Sequence, residues 1–514
     1  MMKLETPAFA VALFGSTLLC SPAIAQAVDP AIAIAIAVEP DSLDACDIEA
    51  AQNGQITRGN LYETLTRIDA DEGTVQPFLA TSWKRVDDLT WEFTLKPAVT
   101  FHDGTPFNAE VAVANIIRTQ AGTEIDGAPA ACLNSSLFPE AVDASVVDDM
   151  TLRVTTQRPD AILPTRISYV GMGNLESQQT AEKTNSPVGT GPYQFVERVQ
   201  GQHIKLTRFA DYWDEAPQVK DVTYLQRADP AVRAGTVRAG EAQIAVAINP
   251  QHATDDDRTV EFRESRLVLY RLRHDKEPFT DKRIRQAVSK AIDRETIVPV
   301  LMGRTGTPAY QMLSPLVNGY VPDFDAGAVS FDPEAAKALV EEARADGSNV
   351  DAEFLLVTRA GAFPGSDEVV QTIAQSLQGV GLNPRVVSME LTARRAYLRQ
   401  PFPEDQQSSM LMLTVDNTSG DASFTLPRYI TCEGQTSSTC NPEIDRIIEQ
   451  AYVAEGDERA ELYQEAARKL YLEEMTMEGL AEQVQLMVLA PGVEYSPNSL
   501  SGVQMLVSDI HVND

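Results

Sequence analysis

Positive charge is scarce in this 514-residue chain: 42 Lys and Arg stand against 74 Asp and Glu, a formal net charge of -32. A phosphate backbone needs clustered cations, so nucleic acid is excluded as a partner. Beyond a Debye length of about 8 Å that charge is screened, so for small ligands it weighs only slightly, against anions and for cations. Histidine is sparse too: His102, His203, His252, His274 and His511 stand singly, and there is no CxxC, so the sequence offers no metal-ligand spacing and no metal is expected. The motifs GxSxG, HExxH, SxxK, GxGxxG and a GK pair followed by Ser or Thr are all missing. Paired carboxylates such as Asp87-Asp88 and Asp148-Asp149 are solvated turns in so acidic a chain. Neither catalysis nor a cofactor is expected. The three Trp, Trp83, Trp91 and Trp213, offer few stacking platforms for sugars. After the first residues no apolar run approaches membrane-spanning length, and no repeat or low-complexity linker occurs.

The length itself calls for two or more lobes. Lys3, an apolar run at residues 8–19 and the small-residue site Ala23-Ile24-Ala25 read as a signal peptide, residues 1–25, removed ahead of Gln26. Leu19 stands where a lipoprotein signal before Cys20 wants a small residue, so an exported, non-lipidated chain is expected. Four cysteines remain after cleavage, an even number suited to an oxidising compartment. Cys432 and Cys440 bracket the polar loop EGQTSST, and closing it should stabilise by about 2 to 3 kcal/mol. By elimination Cys46 pairs with Cys132.

Residues 31–38, AIAIAIAV, are apolar on both faces and predict a central strand. Residues 79–118 form the best-defined unit. Trp91, Phe93 and Leu95 alternate with polar neighbours as a half-buried strand does, Asp103-Gly104 supplies a turn, and Asn108 caps a helix with Val111, Ala114 and Ile117 on its stripe. Residues 120–133 lack periodicity and read as a surface loop. A helix at 228–241 and a strand at 243–248 follow. A sequence change near Arg266 then leads to an amphipathic helix with Ile284, Ala287, Val288, Ala291 and Ile292 on one stripe and a solvated basic face of Lys282, Arg283, Arg285 and Lys290. Further on, a helix opened by Asp332-Pro333, a strand at 353–357, a helix at 368–377 and a strand at 385–388 argue for an α/β fold with parallel strands. Asn441-Pro442 opens another capped helix, residues 459–471 form one more, and residues 489–512 return to strand and turn, as if crossing back to the first lobe.

Three blocks carry a family resemblance: Trp83 followed by TWEFTLKPAVTFHDGTPFNAEVA, SPVGTGPYQF from Ser186, and PFTDKRIRQAVSKAIDRETIV from Pro278. They resemble the bacterial extracellular solute-binding proteins of family 5, the peptide-, opine- and nickel-binding receptors of ABC importers, over nearly the whole mature chain. The resemblance implies an α/β two-lobed periplasmic binding protein of type II, cluster C, with an extra subdomain on the first lobe and a hinge between lobes. Lobe I would comprise residues 26–58, 185–268 and 490–514, the subdomain 59–184, and lobe II 269–489, with residues 186–193 close to the hinge. It also implies a periplasmic monomer that closes on its ligand and delivers it to permease subunits in the inner membrane. LMLTVDNTSGDASF from Leu411 resembles the segment that supplies the amino-end carboxylate in the dipeptide and oligopeptide receptors, which points to Asp416, with Asp421 as second choice. Leu413 and Thr414 stand where that segment usually carries a tryptophan. Arg359, which follows the strand EFLLVT and opens the loop RAGAFPGSD, is the candidate for a ligand carboxylate. Tyr193, Tyr62 and Trp83 are candidate cleft walls. Opines, metal chelates and oligosaccharides compete with peptides as ligand, and a secreted hydrolase is the remaining alternative.

Overall fold

AIAIAI at Ala31–Ile36 sits where its two apolar faces require, between parallel neighbours Asp221–Gln226 and Ile244–Ala245 in an eleven-stranded sheet. This computed structural model describes residues 30–48, 51–69, 73–130, 132, 137–138, 140–253, 258–359, 361–497 and 504–513. The expected signal peptide lies outside the described residues. Across the sheet the order is Tyr193–Val199, His203–Arg208, Asp221–Gln226, Ala31–Ile36, Ile244–Ala245, Met477–Leu489, Thr259–Leu272, Ser409–Val415, Glu353–Thr358 and Asn383–Ser388, with Gly306–Pro308 pairing off Met477–Leu489.

Two of these strands are far longer than the rest, 14 residues at Thr259–Leu272 and 13 at Met477–Leu489, and they run antiparallel to each other through the middle. At one end Thr259–Arg263 pairs with Val484–Val488, beside Ile244–Ala245. At the other end Leu267–Arg271 pairs with Met477–Glu482, beside Ser409–Val415. Between the two halves the register shifts, from Arg263 to Leu267. Each half belongs to a different core. Met487 and Leu489 pack with Ile34, Tyr193 and Tyr224. Val268, Tyr270 and Leu480 pack with Ile284, Val340, Phe354 and Ile373, while Leu267, Leu269 and Met477 pack on the opposite face with Ile444 and Tyr463. One continuous sheet thus carries two lobes, and the pair of long strands is what joins them.

The second lobe follows its sequence pattern closely. Glu353–Thr358 and Asn383–Ser388 are parallel, with helix Ser366–Gly379 between them. Asp332, Asn441 and Asp281 cap the helices Pro333–Ala345, Pro442–Val453 and Lys282–Ala291 with their side chains. The apolar stripe of the last is buried as predicted, but its basic face is not all solvated. Arg285 is buried and donates to the carbonyls of Phe279, Thr280 and Glu474, because the helix packs against a neighbouring loop on that side too.

A four-stranded antiparallel sheet, Ala80–Arg85, Thr90–Leu95, Thr151–Thr155 and Asp143–Asp148, builds the subdomain. Phe93 and Leu95 are buried, Gly104 adopts a positive φ of 82° and Asn108 caps helix Ala109–Thr119. Val111 is buried as expected, but the rest of the buried stripe runs through Ala109, Ala112 and Ile116, while the expected Ala114 and Ile117 are only half-buried. Polar side chains turn inward and rotate the helix: Asn115 bonds Gly173 in both directions, and Arg118 reaches Asp44 in the first lobe at 2.6 and 3.0 Å. A Cys46–Cys132 disulfide makes the same crossing, and Cys432–Cys440 closes the loop in the second lobe. The expected loop at 120–133 contains a short hairpin, Glu124–Ile125 with Ala128–Pro129.

Residues 186–193 meet the Asn60–Glu63 turn and His102, at the seam between subdomain and first lobe. A Cβ at Gly189 or Gly191 would overlap the carbonyl of Leu61 or Asn60, so glycine is what lets the two backbones touch. His102 clamps the contact, accepting from Gly189 N at Nδ1 (3.2 Å) and bonding Gly191 O through Nε2 (3.0 Å). Beside it Glu63 is buried, and its carboxylate accepts from Thr190 Oγ1, Tyr212 OH and Trp213 Nε1 at 2.7 to 2.8 Å.

Candidate functional site

The register shift in the first long strand leaves Glu264, Ser265 and Arg266 outside the ladder and turns charged side chains into the space between the lobes. Bulges commonly re-aim side chains in this way. Arg266 splits its guanidinium between two carboxylates. Nη2 lies 3.3 Å from Asp416 Oδ2 and Nη1 lies 3.7 Å from Glu264 Oε2. Glu264 is 10% exposed at its side chain and also accepts from Gln485 Nε2 on the second long strand, at 3.3 Å. Burial pushes the Glu264 carboxyl up, with Arg266 opposing. Asp416 follows the last residue of strand Ser409–Val415, and its side chain is 56% exposed.

Three cavities meet around this cluster. One of about 170 Å³ and another of about 570 Å³ are both lined by Arg266, the second lying between Ala247–Asn249 and the segment at 361–368, which runs into the start of helix Ser366–Gly379. A third of about 480 Å³ is lined by Asp416 and separates the subdomain from the second lobe. The Arg266–Asp416 pair is therefore the partition between them. Together the cavities have the size of a small-ligand site.

The walls of the third cavity touch. Tyr169 OH donates to Thr418 O, Arg158 Nη1 reaches Glu449 at 3.2 Å, and Arg85 Nη1 reaches Glu455 at 3.0 Å. Arg166 is held by Asp160 at 2.6 Å, donates to Tyr452 OH at 3.4 Å and lies over Phe424 at 4.7 Å. Subdomain and second lobe meet along a line of arginines from one side and acids and aromatics from the other.

Of the side chains singled out in the sequence, Asp416 lies in this cleft. Asp421 does not: it is buried inside the second lobe, and Arg459 grips both its oxygens at 2.9 and 2.7 Å. Burial alone would raise that carboxyl, but the guanidinium more than offsets it and holds it below the usual range. Arg359 is exposed at the end of Glu353–Thr358, close enough to Arg394 to lower the pKa of that guanidinium after burial has done so first. Tyr193 and Tyr62 are core residues, with hydroxyls donating to Val219 O and Leu43 O. Trp83 packs on the subdomain core beside Phe93. None of those three aromatics lines the cavities around Asp416. Sequence reasoning missed Glu264, Arg266 and Gln485. The available signal was the run Glu264-Ser265-Arg266 interrupting an otherwise strand-like TVEF and LVLYRL, the charge pattern of a bulge.

The model of the bacterial extracellular solute-binding proteins, family 5 Middle, matches residues 74–437. A glutathione-binding protein, GsiB of Salmonella typhi, is 24% identical over 454 residues, covering 85% of this chain and 86% of its own. Di/tripeptide-binding protein 2 of Pseudomonas aeruginosa strain UCBPP-PA14 is 24% identical over 483 residues, covering 86% and 88%. In three dimensions the chain resembles HbpA2 from Haemophilus parasuis with a TM-score of 0.82 at 20% identity, over 94% of this chain and all of that one, 100%.

Proposed function

The chain belongs to the bacterial extracellular solute-binding proteins of family 5, and on that premise we propose that it is the substrate-binding component of an ABC importer. It captures a peptide or peptide-like solute between two closing lobes and delivers it to a membrane permease. The observation that carries this reading is the half-exposed carboxylate of Asp416, which lines the cavity between subdomain and second lobe and pairs with Arg266, a lining residue of the other two. A ligand ammonium arriving there forms a charge-assisted hydrogen bond in a site that closure desolvates. The names of the relatives, glutathione-binding and di/tripeptide-binding, favour peptides over opines, chelates or sugars.

In this reading lobe I comprises residues 26–58, 185–268 and 490–514, the subdomain 59–184 and lobe II 269–489. The hinge is the irregular stretch between Arg263 and Leu267 and its partner strand. The protein works as an exported monomer in the periplasm, freed of residues 1–25, without catalysis, lipid or cofactor. Ligand binding shifts the lobes only by as much as the closed form is bound more tightly than the open one.

Denaturing protein purified from its export compartment and identifying the released small molecules by mass spectrometry tests the reading. Short peptides are expected. A single non-peptide compound moves the assignment to the opine or sugar branch. In titration calorimetry with a recovered peptide, Asp416→Ala should weaken binding by about 10- to 100-fold, the loss of one hydrogen bond to a charged group.

A further inference from the structure

Gln483 sits on the second long strand, opposite Gly306, and lines the cavity of about 570 Å³ between the lobes. It is only 6% exposed, yet among the described residues its amide finds no hydrogen-bond partner. Neither amide atom is sealed into the protein, so both stay open to the cavity. A buried amide left unpaired costs free energy that a complementary group restores. Asn249 lines the same cavity from the first lobe. It leads into the turn Pro250–His252 without capping it, and its amide too has no partner among the described residues. From the second lobe comes the start of helix Ser366–Gly379. Gly365 supplies no side-chain cap, and Val369 N, on Gly365 O, is the first amide to close the helical ladder. The N–H groups of Asp367 and Glu368 are thereby left without a backbone acceptor.

The charges around this space argue against an anion. Asp367 and Glu368 line it, and the one cation among the lining residues, Arg266, is already engaged by Glu264 and Asp416. A hydrocarbon chain would strip water from Gln483 and Asn249 and give nothing back, and a hydroxyl has a single proton to donate. A primary carboxamide brings a carbonyl for N–H donors and two N–H groups for acceptors, with no charge. Resting on the peptide reading above, we propose that this cavity is a specificity pocket for a glutamine or asparagine side chain of the ligand, whose carboxamide pairs with that of Gln483. A site built to hydrogen-bond a side chain rejects analogues that lack the matching group, because its own buried polar atoms then go unpaired.

The test offers the purified protein a synthetic mixture of tri- to pentapeptides, with every amino acid at equal abundance at each position, and sequences what it retains by mass spectrometry. Glutamine and asparagine should be enriched about tenfold over methionine and glutamate at one position counted from the amino end, the worth of one restored hydrogen bond. In Gln483→Met, of similar volume, that enrichment should vanish. The ligand-free variant should melt as the wild type does, since it loses an amide that had no partner in the protein. Retained peptides without the enrichment, enrichment of acidic or apolar residues instead, or an amide preference that survives Gln483→Met overturns the pocket and leaves the peptide reading standing. A melting temperature lowered by several degrees in the ligand-free variant also overturns it, by showing Gln483 to be a structural residue. If the wild-type protein retains no peptide of any length, the peptide reading falls and the pocket with it.

Discussion

Glu63 and His102 stand at one seam with opposite demands on protons. Burial raises the Glu63 carboxyl from 4.5 to about 7 against the pull of Trp213, Tyr212 and Thr190. Burial lowers His102 from 6.5 to about 4, and its Nδ1 already accepts from Gly189 N, so a second proton has no place to go. The folded state holds a proton on Glu63 more tightly than the unfolded chain does. That contribution is full below about pH 4.5 and is lost as pH rises toward 7. His102 acts the other way: its contribution is present above about pH 6.5 and is lost as pH falls toward 4. Between pH 4.5 and 6.5 the two slopes oppose each other. Glu63→Gln should leave a melting temperature that climbs with pH across that window more steeply than in the wild type, and His102→Gln one that falls. Melting curves every half unit decide it, and parallel profiles for all three proteins would refute the assignment.

The same scale shows where the sequence was silent. Asp416 and Asp421 are five residues apart in one motif, and what separates them is Arg459, distant in sequence, which grips the second and leaves the first. Tyr62 and Tyr193 could have been cleft walls by composition. They are core because backbone carbonyls of Leu43 and Val219 satisfy their hydroxyls, and no local pattern announces such a partner.

At the scale of elements, helices with a polar cap and an apolar stripe were legible: Asp332, Asn441 and Asn108 all cap as their positions suggested. The second long strand was not. Only its last residues read as strand, because MEGLAEQV is rich in Glu, Leu, Ala and Gln, which favour helix. Pairing with Thr259–Leu272 on one edge and with Gly306–Pro308 and Ile244–Ala245 on the other overrides that preference. Near its start the strand carries Glu478, buried and bonded to Tyr270, Ser289 and Arg294, with the Arg294 contact at 2.9 Å. Burial raises the Glu478 carboxyl, and Arg294 is the largest influence opposing it. Removing one partner of a buried pair leaves the other uncompensated. Arg294→Met should therefore cost about 3 to 5 kcal/mol in urea unfolding. A loss under about 1 kcal/mol would mean the pair is not holding the strand.

For the whole molecule, alternating strand and helix signals and three motif blocks made the two-lobed α/β architecture readable, while the ligand lay beyond reach because it depends on which side chains the crossing strands bring together. The contacts between subdomain and second lobe set how firmly the lobes stay shut. Arg85–Glu455 and Arg158–Glu449 are exposed pairs, each worth about 0.2 to 1 kcal/mol. The double variant Glu449→Arg, Glu455→Arg replaces attraction with repulsion. It should enlarge the ligand-free molecule in small-angle scattering and weaken peptide binding several-fold, with both effects fading at high salt. Unchanged scattering would show that closure does not depend on these pairs.

The Cys46–Cys132 bond and the Arg118–Asp44 bridge tie the subdomain to the first lobe rather than to the second. With the proposed hinge, the three bodies would move as two. On the proposed hinge motion, the cavity between subdomain and second lobe opens and shuts with the lobes themselves. A solute held there leaves by the same motion that admitted it, so its dwell time is the lifetime of the shut state. Release should follow a single exponential at whatever depth the solute sits, and a permease that pries the two bodies apart empties every compartment at once.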